Sequence, residues 1–189
     1  WTDVCVPVDF GHYIGMSTRE GTADALEDVL DRPVELARAL IDENIEAGRI
    51  HLAGQDPDEL AEAVGIGAIV FNDLKNRRHK DVQFDWDRML NWKGETGPYL
   101  QYTHARINGI LRKFREERGG EVPAEVDFDL LGADEEVEVA RRIEQYPGVV
   151  RRAAEEYEPS LVASHLLELA SGFNSFYHAH QVVGPDPDR

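Results

Sequence analysis

The sequence has little cysteine, little lysine and no long hydrophobic run. Cys5 is its one cysteine, which excludes an intrachain disulfide framework and favours a reducing compartment. No apolar stretch approaches the roughly 18 residues that a membrane span needs, and no signal peptide is visible, so we expect no membrane partner. Only four of the 20 basic residues are lysine, which suits a salt-adapted protein and equally an arginine-preferring genome.

Acidic residues dominate the charge. The formal net charge of −17 argues against a nucleic-acid partner, because proteins that bind nucleic acids usually carry a basic face. The acids, however, concentrate in residues 20–62 and 116–158. Basic residues form two islands, residues 75–80 and residues 99–118. An acidic body with two basic islands therefore leaves a nucleic-acid partner open.

Hydrophobic periodicity predicts a protein that is almost entirely helical. Prolines are expected to interrupt the first helix at Pro33 and to separate helices over about 134–145 and 147–157. Gly65 and Gly67 lie inside a helical pattern and indicate a bend or the close packing of another backbone. Helix starts are predicted at three proline-containing signals, Asp56-Pro57, Thr96-Gly97-Pro98 and Pro159.

The first residues follow a different pattern. Residues 1–14 are predicted as strand and loop, because apolar residues alternate from Val4 to Phe10. Cys5 is expected to be a strand or core residue. Residues 82–92 begin with a similar alternation, which favours a short extended segment.

The segment from Thr96 to Lys113 reads TGPYLQYTHARINGILRK. Tyr99 and Tyr102 are three residues apart and therefore share a face of the predicted helix. Aromatic, amide and cationic side chains together suit a surface that stacks on bases and holds phosphates. The alternative is an ordinary amphipathic helix with two half-buried tyrosines. The apolar stripe of this helix includes Leu100, Ile107, Ile110 and Leu111, of which the last three are expected to be core.

Three blocks of the sequence resemble one family in order and spacing, the class I arginyl-tRNA synthetases. Residues 10–21, FGHYIGMSTREG, resemble that family's version of the KMSKS loop. The segment from Gly65 to Lys113 is the longest match. Residues 158–180, EPSLVASHLLELASGFNSFYHAH, resemble the last-but-one helix of a DALR-type anticodon-binding domain.

This resemblance implies a mainly α fold. A helical bundle of the class I synthetase anticodon-binding type would follow a short strand-and-loop remnant of a Rossmann-type catalytic domain. Residues 1–24 would be that remnant, residues 25–95 connecting helices that contact the tRNA stem, and residues 96–189 the DALR bundle without its last helix. The sequence is therefore expected to be a piece of a longer protein.

The resemblance also implies a function. The full-length enzyme would ligate L-arginine to arginine tRNA, using ATP with Mg²⁺ through an arginyl-adenylate, as a cytoplasmic monomer. The isolated chain is expected to be inactive and to hold no metal or bound cofactor. Two alternatives are a stand-alone helical RNA-binding module and a protein-interaction bundle, which the net charge of −17 favours. Neither alternative accounts for the KMSKS-like loop, because a binding module has no use for a loop that closes over ATP.

The residues that match the KMSKS motif are implied to face the ATP phosphates. Ser17 can donate a hydroxyl hydrogen bond, and Arg19 offers a cationic fork for phosphate. The two lysines of the generic motif are replaced by Gly15 and Thr18. The four candidate residues of this loop are Met16, Ser17, Thr18 and Arg19.

A second set is implied to bind tRNA. Tyr99, Tyr102 and Tyr177 match tyrosines near the anticodon loop, where splayed bases are read by stacking and by hydrogen bonds to their edges. Gln101 and His104 could contact base edges, although Gln101 points to a different side of the helix from Tyr99. Arg106 would serve phosphates or packing. The basic run from Lys75 to Lys80 would meet the tRNA stem or the catalytic domain, or simply complement a helix C-terminus.

Overall fold

The computed structural model describes residues 5–14, 25–52, 54–83, 85–122 and 127–183. Two short strands, β1 (Tyr13–Ile14) and β2 (Val82–Gln83), pair in parallel. No helix in the described ranges is both long enough and apolar enough to cross a membrane. The prediction of a mainly helical fold is confirmed. The helices are α1 (Leu26–Glu46), α2 (Pro57–Lys75), α3 (Trp86–Met89), α4 (Gly97–Arg118), α5 (Asp134–Glu156) and α6 (Ser160–Ala179), with a 3-10 turn at Phe128–Leu130.

The main apolar core lies between α1 and α2. Pro33, Ala37 and Ile41 are four residues apart and therefore form one buried face of α1. Gly65 lies on the facing side of α2, where an added Cβ would lie 2.7 Å from the carbonyl carbon of Pro33. The prediction that Gly65 permits close packing of another backbone is confirmed. The α2 residues buried with it are Ala61, Val64 and Ala68.

Two predicted helix breaks at proline are wrong. α1 continues through Pro33, whose side chain is fully buried, so packing offsets the backbone hydrogen bond that proline cannot make. α5 is one helix over Asp134–Glu156 and contains Pro147. Pro147 and Ile143, the residue whose carbonyl it leaves unpaired, are both exposed, so the proline lies on the solvent side of α5 and its ring displaces no core residue.

The predicted helix starts of α2 and α4 are confirmed. Asp56 caps α2 by accepting a hydrogen bond from the Asp58 amide at 2.9 Å. Thr96 caps α4 in the same way, with its hydroxyl accepting from the Tyr99 amide at 3.2 Å. α4 ends at Gly119, whose φ of 70° is the left-handed conformation that glycine adopts without strain.

Residues 1–4 of the predicted N-terminal strand and loop lie outside the described ranges, and within residues 5–14 the strand is limited to Tyr13–Ile14. Cys5 is exposed, and residues 5–12 have no regular structure. Phe10 is 81% exposed. A strand needs a partner edge, and in the described part of the chain β2 offers one of only two residues, which pair with Tyr13 and Ile14. The predicted strand or core role of Cys5 is therefore wrong.

α6 packs against α5, α2 and α4. Hydrogen bonds of Asn174 with Thr103 and Arg106 join the C-terminal half of α6 to the first half of α4. Thr103 on α4 is buried. Ile107, Ile110 and Leu111 are only half-buried, so the expectation of a full core at these positions is wrong. α4 is a lateral helix of the bundle with one side open to solvent. The domain boundaries near residues 24 and 95 stay predictions.

Candidate nucleic-acid interface

Three side chains meet where α4 and α6 run side by side. Tyr102 and Arg106 are one turn apart on α4, and Tyr177 is on α6. The guanidinium carbon of Arg106 lies 4.7 Å from the centre of the Tyr102 ring and 4.8 Å from the centre of the Tyr177 ring. Its Nη2 donates a 2.6 Å hydrogen bond to the Tyr102 hydroxyl. We call these three residues the tyrosine–arginine platform.

The platform is accessible from solvent. Tyr102 is 47% exposed and Tyr177 is 37% exposed. Tyr177 also stacks on Phe173 of the same helix, with ring centres 6.3 Å apart and an interplanar angle of 25°. Cation–π contacts at exposed sites contribute about 0.5–1 kcal/mol each, so the two rings and the guanidinium hold one another in place. Such a surface can stack on bases and attract phosphate at once.

Asn174 connects the platform to the interior. Its Oδ1 accepts a hydrogen bond from Nη1 of Arg106. Its Nδ2 donates to the hydroxyls of Tyr99 and Thr103, both at 3.0 Å. Asn174 is not among the residues that the sequence predicts to bind RNA. An amide inside the run FNSFY was the available signal, but the sequence alone does not show which helix that amide faces.

The structure brings together four of the six residues predicted to bind tRNA and places the other two elsewhere. Tyr99, Tyr102, Arg106 and Tyr177 are joined through the platform and Asn174. Tyr99 is half-buried and lies behind the platform.

The remaining two candidates point elsewhere. Gln101 donates from Nε2 to the Ala63 carbonyl of α2 at 2.9 Å, and its buried Oε1 has no hydrogen-bond partner. His104 is exposed, with its Nε2 3.0 Å from the amide nitrogen of Asn108. Since His104 is two residues from both Tyr102 and Arg106, it lies on the opposite side of α4 from them.

Residues 15–21 of the KMSKS-like block lie outside the described residues, but residues 10–14 are described. The Gly11 amide donates to the Arg78 carbonyl at 2.6 Å, and an added Cβ at Gly11 would lie 2.1 Å from the Lys80 carbonyl oxygen. Arg78 also donates from Nη1 to the Asp9 carbonyl at 2.9 Å. Arg78 and Lys80 of the first basic island therefore contact the segment from Asp9 to Gly11, which leads to residues 15–21. The candidate residues outside the described ranges are Met16, Ser17, Thr18 and Arg19.

Other groups of the first island also contact the protein itself. Lys75 donates to the Glu95 carbonyl at 2.7 Å, and burial lowers the pKa of its ammonium group. Nearby, burial and a hydrogen bond to Asp73 raise the pKa of the Tyr13 phenol. Among the described residues, no cluster of three or more histidine, cysteine, aspartate or glutamate side chains is placed to hold a metal ion.

Two family models match the chain. The DALR anticodon binding domain matches residues 100–189, and the catalytic domain of class I tRNA synthetases, type R, matches residues 9–86. The platform lies inside the first match, and the segment from Asp9 to Gly11, which Arg78 contacts, lies inside the second. Together the matches define the class of this protein as the class I aminoacyl-tRNA synthetases with a DALR domain.

The relatives narrow this class. Arginine–tRNA ligases of Halothermothrix orenii and Clostridium beijerinckii are 38% and 39% identical over 98% and 97% of this chain. The chain covers 32% and 31% of these two proteins, about a third of their length. The chain belongs to the arginyl-tRNA synthetase family.

Solved structures agree with this assignment. The arginyl-tRNA synthetase of Thermus thermophilus superposes with a TM-score of 0.71 at 33% identity, over 84% of this chain and 25% of that one. The arginyl-tRNA synthetase of Plasmodium falciparum superposes with a TM-score of 0.72 over 94% of this chain and 29% of that one. Its 24% identity supports the shared fold alone.

Proposed function

We propose that this chain supplies the anticodon-binding part of an arginine–tRNA ligase and contacts the anticodon loop of arginine tRNA through the tyrosine–arginine platform. The observation that carries the proposal is the contact of Arg106 with Tyr102 and Tyr177, two partly exposed tyrosines on neighbouring helices. This contact holds aromatic faces beside a fixed positive charge. Anticodon bases that leave the stack need such a surface, because stacking on aromatic rings contributes about 1–3 kcal/mol per base.

Charge distribution supports the same proposal. The protein as a whole is acidic, with a net charge of −17, so a polyanion is repelled from most of its surface. Arg106 is held at the platform, and Arg112 is exposed one to two turns further along α4. Local positive charge beside the two tyrosines therefore favours one orientation of the RNA over others.

A stand-alone RNA-binding or protein-interaction module is the weaker alternative. Neither would need the catalytic-domain sequence that the family model matches over residues 9–86. The same match favours a full-length protein in which arginine and ATP give arginyl-adenylate and pyrophosphate, before the arginyl group passes to the terminal ribose of tRNA. Ser17 and Arg19 are proposed to contact the ATP phosphates. The accompanying Mg²⁺, the monomeric state and the cytoplasmic location stay predictions.

The chain alone is expected to bind tRNA without catalysing the reaction. Arginine-dependent exchange between ATP and pyrophosphate should be absent from the 189-residue chain, while arginine tRNA should bind it. Exchange activity in this chain would contradict the division of roles proposed here.

Substitution of the two exposed tyrosines tests the binding proposal. Tyr102→Ala and Tyr177→Ala should each weaken binding of an arginine tRNA transcript by about 1–3 kcal/mol, the value of one lost stacking contact. Binding is measured by fluorescence titration at one stated salt concentration, because affinity for RNA depends strongly on salt.

Tyr157 provides a matched control. It is also 50% exposed, but it lies at the end of α5 with a φ of 52°, a conformation that asparagine tolerates. Tyr157→Asn should leave binding unchanged. If the two platform variants bind as tightly as this control, the proposed role of the platform is wrong.

A further inference from the structure

Asn174, in the C-terminal half of α6, makes three side-chain hydrogen bonds, all of them to α4. Its Oδ1 accepts from Arg106, and its Nδ2 uses both hydrogens on the hydroxyl oxygens of Tyr99 and Thr103. Thr103 is buried, and its own hydroxyl donates to the Tyr99 carbonyl at 2.9 Å. One side chain therefore joins the interior of the α4–α6 contact to the guanidinium at its surface.

We propose that Asn174 is the positioning residue of the RNA-binding platform. This inference rests on the proposed function and adds how the platform keeps its shape. Asn174 holds the guanidinium of Arg106 at the place where it contacts both tyrosine rings. Asn174 itself does not contact RNA. Its effect on RNA binding therefore passes through Arg106.

The chemistry of an amide suits this position. The guanidinium of Arg106 can only donate hydrogen bonds, so it needs an acceptor, which Oδ1 supplies. The hydroxyl of Thr103 already donates to a carbonyl, so its oxygen is left to accept, and Nδ2 supplies that hydrogen. An uncharged amide of this size offers one acceptor and two donors at a single site.

The geometry also shows why Arg106 needs a second anchor. Nη2 of Arg106 bonds the hydroxyl of Tyr102, which belongs to the same helix and moves with it. The hydrogen bond from Nη1 to Asn174 links the guanidinium to α6, the helix that carries Tyr177. Without it, Arg106 could follow Tyr102 and leave Tyr177. Because the guanidinium is bonded to both helices, the relative position of the two tyrosine rings is fixed before RNA binds. Less conformational entropy is then lost when RNA binds.

Three substitutions in the 189-residue chain test the inference. Asn174→Leu keeps the branched arrangement of four heavy atoms but removes every hydrogen bond of the amide, and it should weaken binding of arginine tRNA about tenfold. Asn174→Asp keeps an acceptor for Arg106 but adds a negative charge beside it, so its affinity should lie between those of the original protein and Asn174→Leu. Asn44→Leu is the matched control, because the hydrogen bonds of the Asn44 amide to described residues lie within α1 and the turn that follows it, and it should leave binding unchanged.

A double-mutant cycle separates positioning from a general structural role. In the Arg106→Met background, Asn174→Leu should have almost no further effect on the Kd, because the residue through which Asn174 acts is gone. Urea unfolding of each variant establishes that the comparison is between folded proteins. A full tenfold effect of Asn174→Leu in the Arg106→Met background would overturn the inference. So would unchanged binding by Asn174→Leu alone.

The two proposals fail differently. If Tyr102→Ala and Tyr177→Ala leave RNA binding unchanged, the proposed function fails, and the inference fails with it. If those variants lose affinity but Asn174→Leu does not, or does so independently of Arg106, the proposed function survives and only the positioning role of Asn174 is refuted. Recovery of affinity in Asn174→Asp, together with non-additivity with Arg106→Met, supports the inference.

Discussion

The two sides of α4 use similar residue types for different purposes. On the side facing α2, Gly97 lets the backbones of α2 and α4 approach closely, and the Gln101 amide donates a hydrogen bond to the Ala63 carbonyl. On the side facing α6 and solvent, Tyr102 and Arg106 keep exposed surface while bonding each other. Gln101 and Tyr102 are adjacent in sequence but point about 100° apart around the helix.

This difference shows that residue type alone does not identify an RNA-binding side chain. Gln101 and Arg106 both carry groups that could recognise RNA. The Gln101 amide is directed into the contact with α2, whereas the Arg106 guanidinium contacts two partly exposed rings. Substitutions on the α2 side should therefore change folding stability, and substitutions on the α6 side should change RNA affinity.

The largest effect is expected from Gly97→Ala on the α2 side. An added Cβ would lie 2.8 Å from the Gly67 carbonyl oxygen, so α2 and α4 must move apart. We expect a loss of about 1–3 kcal/mol in the free energy of unfolding, typical of overpacking, measured by urea denaturation followed by circular dichroism.

Gly109 gives the matched control on the same helix. An added Cβ there meets no atom within 4 Å. Gly109→Ala should therefore stabilise the protein by about 0.5–1 kcal/mol, the usual gain when alanine replaces glycine inside a helix. Equal stabilities for the two variants would mean that Gly97 is not a close contact between α2 and α4.

The sequence predicts those features of the fold that depend on residues close together in the chain, and it does not predict those that depend on tertiary contacts. The starts of α2 and α4 were predicted correctly, because Asp56 and Thr96 cap amides only two or three residues away. The break at Pro147 was predicted wrongly, because the cost of a proline inside a helix depends on its surroundings in the fold, which the sequence does not give.

The candidate site divides in the same way. The pairing of Tyr102 with Arg106 follows from helical spacing and is local. The bonds of Asn174 to Tyr99 and Thr103 join residues 75 and 71 positions apart, so no local pattern could indicate them. The assignment of residues 16–19 to an ATP-closing loop rests on family resemblance, since those residues lie outside the described ranges.

A pair of methionine substitutions compares the two sides directly. Arg106→Met should weaken binding of arginine tRNA by about one to two orders of magnitude, since it removes both the cation–π contacts and a positive charge beside the phosphates. Gln101→Met should leave RNA affinity unchanged and cost about 0.5–1.5 kcal/mol of folding stability, the net value of one hydrogen bond. Fluorescence titration and urea denaturation of both variants give the comparison. A loss of affinity in Gln101→Met equal to that in Arg106→Met would show that the two sides are not distinct.

The smallest effect is expected from Arg112→Gln. Arg112 is exposed on α4 beyond the platform, where it can neutralise a phosphate without contacting a base. Its loss should weaken binding to all tRNAs about equally and reduce the slope of log K against log salt by about 1. Binding titrations at several salt concentrations measure that slope. An unchanged slope would exclude Arg112 from the phosphate contacts.

The most direct test of the central claim is a nuclease footprint of arginine tRNA bound to the 189-residue chain. The tyrosine–arginine platform is proposed to cover the anticodon loop. We therefore expect the chain to protect nucleotides of that loop from cleavage, and Tyr102→Ala to need about 5- to 150-fold more protein for the same protection, because it loses about 1–3 kcal/mol of stacking. Protection confined to the acceptor stem, or loop protection by Tyr102→Ala at the same protein concentrations as the original chain, would contradict the account.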